Sequence, residues 1–150
     1  MIERYFRGKG LDTQDWIFGS LVYSMQEDLY YIVEHEKDEL SFPVVEETIG
    51  EFTGEKDKYN RDICTKDIVE YKIGKDYKGK PLETHKAEVT FSNGAFGIIT
   101  KDKLFTPFCN FCNTQFEVIG NTVNNRKLLQ DEQEQEVEVE DQEDEDEDER

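Results

Sequence analysis

Hydrophobic residues in this chain recur mostly at every second position, in short runs closed by turn residues. Across Asp67 to Ile73, Val69, Tyr71 and Ile73 alternate with Glu70 and Lys72, the period of a half-covered strand. Ala87, Val89 and Phe91 alternate with Lys86, Glu88 and Thr90, and Ser92-Asn93-Gly94-Ala95 leads on into Phe96 to Thr100. Asn-Gly between two such runs predicts a β-hairpin, because both residues accept positive φ. Trp16 to Tyr23 and Leu29 to Glu34 are rich in aromatic and β-branched residues, with Ser24 to Asp28 as a hairpin loop between them. Both runs are apolar at nearly every position, so both faces are expected to be covered, by a second layer or by another subunit.

Weaker signals fill the remainder. Glu3 to Arg7 predicts a short strand, with Gly8-Lys9-Gly10 as the turn after it. Phe42 to Gly54 reads as a strand block with Pro43 at its head, where a missing N–H is tolerated. Glu46 and Glu47, adjacent in a strand, would point to opposite faces. Glu55 to Arg61 is charged and turn-like, and Asn60 suits a left-handed backbone. Gly74 to Thr84 reads as a longer polar loop, Phe116 to Ile119 as a last strand, and Gly120-Asn121 as the start of a turn-rich exit. No long window keeps a 3.6-residue period. The predicted class is therefore all-β, a barrel or roll.

Charge divides the chain unequally. Residues 131–150 hold fourteen of the 36 acids against the single base Arg150, a net charge of −13, which leaves only −5 on residues 1–130. From Gln130 onward the only apolar residues are Val137 and Val139, too few to offset chain entropy. The expected organisation is one β domain over residues 1–129 and a disordered acidic tail over 130–150. A domain of this length can stand without disulfides or metal. The negative balance disfavours a dedicated nucleic-acid binder, since every phosphate would meet a like charge.

The start, Met-Ile-Glu-Arg-Tyr-Phe-Arg, has no apolar stretch of signal-peptide length. Trp16 to Tyr23, the longest apolar-rich window, falls far short of the roughly 20 residues of a membrane helix. A cytoplasmic protein with no membrane contact is expected. Three cysteines, Cys64, Cys109 and Cys112, are an odd number and read as reduced thiols.

The candidate chemical motifs are incomplete. Gly74-Lys75-Asp76-Tyr77-Lys78-Gly79-Lys80-Pro81 nearly spells a phosphate-binding loop, but Pro81 stands where Ser or Thr must ligate Mg²⁺, and no helical pattern follows. Cys109-Asn110-Phe111-Cys112 has C-x-x-C spacing, yet a structural zinc wants four ligands and only Cys64, His35 and His85 remain as singletons. A redox pair would want a helix start, and this stretch lies among strands. Neither histidine has a partner at triad spacing. The expectation is a protein without catalytic residues, metal or cofactor.

Binding has one candidate. Residues 71–86 carry Lys72, Lys75, Lys78, Lys80 and Lys86 against Asp76 and Glu83, a net charge of +3, with Tyr71 and Tyr77 interleaved. Charge with aromatic rings can hold a polyanion, so Tyr71, Lys72, Lys75, Tyr77, Lys78 and Lys80 are the candidate partner-binding residues. The tethered acidic tail could lie over this segment and block polyanions.

Arg4-Tyr5-Phe6-Arg7-Gly8-Lys9 and Trp16-Ile17-Phe18-Gly19-Ser20-Leu21 together resemble the opening of the YopX family of phage and prophage proteins. Glu47-Thr48-Ile49-Gly50-Glu51-Phe52-Thr53-Gly54-Glu55-Lys56-Asp57-Lys58 is similar to that family's Thr-Val-Gly-Gln-Phe-Thr-Gly-Leu-x-Asp-Lys stretch. Asp67-Ile68-Val69, the hairpin Val89 to Phe96, and Glu117-Val118-Ile119-Gly120-Asn121 with Leu128-Leu129 resemble further family segments in the same order. The likeness covers about residues 3–129, leaving the acidic tail outside. Lys66 stands where the family usually has Gly, which argues against a tight turn there; Asn60 also replaces Gly, and Arg126-Lys127 replace Pro-Glu. The resemblance implies an SH3-like barrel or roll, here with the N-terminal hairpin as an additional layer. It also implies a phage- or prophage-encoded protein working in the bacterial host cytoplasm. It transfers no activity and no catalytic residue. The function expected is a non-enzymatic accessory protein, a protein-interaction module with a protein partner or a second copy of itself. The alternative is an acidic-tail decoy for a basic host or phage protein.

Overall fold

The computed structural model describes residues 5–35, 40–75, 77–111 and 115–129, and in them the protein is built from two antiparallel sheets. The first holds β1 (Phe6–Lys9), β2 (Trp16–Ser24), β3 (Leu29–Val33), β4 (Ser41–Val44), β5 (Gly50–Lys56) and β6 (Asp62–Cys64), in the order β4-β3-β2-β1-β5-β6. The second holds β7 (Asp67–Lys75), β8 (Pro81–Ser92), β9 (Ala95–Ile99), β10 (Phe105–Pro107) and β11 (Phe116–Asn121), in the order β10-β9-β8-β7-β11. Helical structure among the described residues is limited to three short 3-10 turns, so the all-β class holds. No helix there is long and apolar enough to cross a membrane.

The six-stranded sheet curls on itself. Beyond the end of β1, Gly10 bridges Val44 at the end of β4, and the Val45 N–H donates to the Lys9 carbonyl at 2.8 Å. The face carrying Ile17, Ile32 and Val44 is thereby enclosed, with Phe6, Leu21, Phe42 and Ile49 around it. Gly8 makes the closure possible: a Cβ there would stand 3.1 Å from Val44 Cβ. Gly8-Lys9-Gly10 is therefore not the turn its composition predicts. Gly8 and Lys9 belong to β1, and the glycines serve close packing rather than chain reversal. The predicted strand over Phe42 to Gly54 is likewise divided, because the 3-10 turn Glu46–Thr48 separates β4 from β5. Glu46 and Glu47 lie on that turn, both exposed, instead of alternating along a strand.

The N-terminal hairpin β2–β3 is interior to the larger sheet, not an added layer. Nor do the described residues cover both of its faces. Ile17 and Gly19 are buried, but Phe18 is 51% exposed and Val22 48% exposed on the other side. Val22 is in register with Tyr31, and Tyr31 with Pro43, which makes an apolar row across three strands.

The second core lies on one face of the five-stranded sheet: Val69, Tyr71, Ala87, Val89, Ile98 and Phe116, capped by Ile63 of β6 and by Phe108 and Phe111. Val69 faces Ala87 and Val118, and Tyr71 faces Phe116, so the alternation read in the sequence does select the buried face. The Asn93-Gly94 hairpin turn forms as expected, with φ of 52° and 82°. Asn60 takes the left-handed conformation at φ 64°. Lys66 also does, at φ 73°, against the expectation that a lysine would oppose a tight turn. Two backbone bonds hold it: its N–H donates to Val89 O and its carbonyl accepts from Thr122 N–H, both at 2.8 Å.

β6 and β10, three residues each, are strands that periodicity did not reveal. Both are too short to display a period.

Candidate functional site

The predicted polar loop over Gly74 to Thr84 is mostly sheet. β7 runs to Lys75 and β8 begins at Pro81, with Lys72 paired to Thr84, Ile73 to Glu83 and Lys75 to Pro81. Only a short turn remains, with Gly79 at φ 84°. The sequence hid this because Lys72, Gly74, Lys75, Pro81, Glu83 and Thr84 outnumber the apolar Ile73 and Leu82 there, and ladder pairing needs no apolar side chain. The result is a basic two-stranded ribbon beyond the second core.

The six candidate partner-binding residues divide on this ribbon. Lys72, Lys75, Tyr77, Lys78 and Lys80 are exposed together, with Tyr77 at 93% exposure and the Lys78 ammonium 5.6 Å from the centre of its ring. Tyr71 is not part of that surface. It is only 5% exposed, its ring 5.1 Å from Phe116 and 5.5 Å from His85, and burial raises its phenol pKa. Its place in the alternating run Val69-Tyr71 puts it on the core face, which decides its role.

A second cluster, unforeseen in the sequence, joins the sheets. Arg7 Nη2 donates to Asp67 Oδ1 at 2.6 Å, and the Cys64 N–H donates to Asp67 Oδ2 at 2.7 Å. The Arg7 guanidinium also lies 4.9 Å from the centre of the Trp16 ring. Nearby, the Tyr5 hydroxyl donates to Asp62 Oδ2 at 2.6 Å, and burial with that bond pushes the phenol pKa well above its ordinary range. Burial pushes the Cys64 thiol up to about 11, so it is not a thiolate at neutral pH. Burial likewise raises Asp67 above the usual carboxyl range, opposed by Arg7. The cluster is an electrostatic weld rather than a nucleophilic site.

Two lesser features flank it. An open groove of about 310 Å³ runs between Glu51, Thr65, Lys66, Glu88 and Phe91, and the Lys66 ammonium there donates to the Glu47 carbonyl at 2.5 Å. Ser20 Oγ in the middle of β2 and His35 Nε2, just beyond the end of β3, are hydrogen-bonded at the surface, fifteen residues apart in sequence. No cluster of three or more metal-ligating side chains occurs among the described residues. Cys109 is exposed on the 3-10 turn Phe108–Asn110, whereas Cys112 and the expected tail over 130–150 lie outside the described residues.

A helix-poor protein of two antiparallel sheets, welded by a buried ion pair and extended by a basic ribbon, is the class these features define. The chain belongs to the YopX family: the family, described as YopX protein, matches residues 5–130. The crystal structure of protein EF1440 from Enterococcus faecalis shares the fold, with a TM-score of 0.51 and 19% identity over 87% of this chain and 100% of that one. No curated protein is similar to this chain.

Proposed function

We propose that the protein is a non-enzymatic accessory protein of phage or prophage origin, acting in the bacterial cytoplasm as a protein-interaction module. The observation that carries this reading is the uncovered face of β2: Phe18 and Val22 stand open, and Val22 continues into the row of Tyr31 and Pro43. Apolar side chains grouped on one sheet face favour a protein partner or a second copy of the chain. The N-terminal half also supports an SH3-like roll. Four strands curl until the fourth meets the end of the first, a 3-10 turn follows, and β5 returns to pair with β1. Such rolls commonly present loops and strand edges to partners, which is an argument from fold alone.

The test is the double substitution Phe18→Lys, Val22→Lys, compared with the native chain by sedimentation and by co-purification from infected cells. The expected result is an unchanged strand-rich circular dichroism spectrum with loss of the dimer or of the stoichiometric partner. A variant that keeps the native mass distribution and the native partners would overturn the reading.

The charge of −13 within residues 131–150 favours one alternative, in which the tail itself is a polyanion mimic that occupies a basic protein. Neutralising the tail acids removes the partners under that reading and leaves them under the first.

A further inference from the structure

We propose that the basic β7–β8 ribbon is the docking surface for the acidic segment 131–150 of the same chain, so that the protein masks its own polyanion-binding arm. The inference is independent of the apolar face on β2. Residues 72–75 and 77–80, with Glu83 and Thr84, are exposed around the ribbon's end. Residues 72–86 carry a net charge of +3, while the rest of residues 1–130 carries −8. A segment of −13 is therefore repelled by the net charge of the rest and attracted to this ribbon.

The path of the chain leads there. The last described element, the 3-10 turn Arg126–Leu129, lies against β11: a Cβ on Gly120 would stand 2.8 Å from Leu128 Cδ1. Gly120 is in register with Ile68, and Ile68, Glu70 and Lys72 share one face of β7 by alternation. Lys86, opposite Glu70, is on that face as well. The acidic segment thus leaves from the sheet face that displays Lys72 and Lys86 on the way to the tip.

Length agrees with the span. Glu88 is the β8 partner of Ile68, and from there to Lys80 at the tip is about 26 Å at roughly 3.3 Å per residue. Residues 130–150, at no more than about 3.4 Å each, can span up to about 70 Å. The segment is therefore long enough to reach the tip, and the tether makes the encounter intramolecular. Lysines that can slide among many carboxylates need no single geometry. The contact is held by summed charge, and is broken by salt or by a competing polyanion.

The experiment compares amide NMR spectra of the full chain with those of a full-length variant in which all fourteen acids of residues 131–149 become amides (Asp131→Asn, Glu132→Gln and so on through Glu149→Gln). The amides of Lys72 to Lys80 should move in the native chain between about 20 and about 500 mM salt, and should already occupy the high-salt positions in the variant. Heparin, as a probe polyanion, should bind the variant about tenfold more tightly. Ribbon amides that coincide in the two chains at low salt would overturn the proposal. So would shifts that grow with protein concentration, which would assign the contact to a second copy.

Discussion

Arg7 and Asp67 form an ion pair at 2.6 Å between β1 of the six-stranded sheet and β7 of the five-stranded sheet, with side chains 12% and 2% exposed. Sixty residues apart in sequence, they are a buried charged link between the two halves of the fold. Asp67 gains a second anchor from the Cys64 N–H, which fixes the turn between β6 and β7.

Removing one partner of a buried pair leaves the other charged and uncompensated. Arg7→Ala and Asp67→Ala should each destabilise by about 3–5 kcal/mol, and Asp67→Ala by the larger amount, since it also orphans the Cys64 N–H. The double variant should cost less than the sum of the singles. Urea denaturation of the four chains reads this directly; additive losses would mean that the pair is not coupled.

Asp57 gives a pH dependence of known sign. Its carboxylate accepts from the N–H groups of Tyr59, Arg61 and Val118 and from the Arg61 side chain, stapling the β5–β6 loop to β11. Burial opposes ionisation there, but these donors outweigh it, and the folded pKa lies below the ordinary carboxyl value. A depressed folded pKa contributes stability that is present above the unfolded value, near 4, and lost as pH falls through the folded one. Asp57→Asn should therefore cost about 1–3 kcal/mol at neutral pH, and the gap to the native chain should close on acidification. Asp67 has the opposite sign. Its raised folded pKa contributes stability below the unfolded value that is lost as pH rises through the folded one.

Two glycines should answer the same substitution differently. A Cβ on Gly19 would overlap the Val33 carbonyl across the β2–β3 ladder, so Gly19→Ala must push the paired backbones away from each other. It should lower stability by at least about 3 kcal/mol or prevent folding. Gly79→Ala meets open space in the ribbon turn and carries only the strain of φ 84°, about 1–2 kcal/mol. Thermal melts of the two variants check the order.

Thiol chemistry should separate Cys64 from Cys109. Cys64 is buried with its pKa pushed up to about 11, whereas Cys109 is exposed. At pH 8 an aromatic disulfide reagent should label Cys109 in the native chain and reach Cys64 only on unfolding. Peptide mapping by mass spectrometry reads the two sites, and fast native labelling of Cys64 would show that the junction between the sheets opens readily.

Chain-local chemistry could be read from residues alone. Alternation in Asp67 to Ile73 and in Lys86 to Phe91 marked two strands of the second core, because side-chain direction in a strand has a period of two, and Asn93-Gly94 marked the turn from β8 to β9. The uneven charge of residues 1–130 and 131–150 was equally plain, being a matter of counting. Only the tertiary structure decided the rest, and the reason is the same each time: pairing across distance leaves no period. Gly8 and Gly10 look like turn residues until Val44 is brought against them. The polar ends of β7 and β8 look like a loop until each supplies the other's ladder. Tyr71 looks like a partner for the lysines around it until Phe116 and His85 close over its ring. Arg7 and Asp67 are two ordinary charges until the sheets meet, when burial makes each depend on the other.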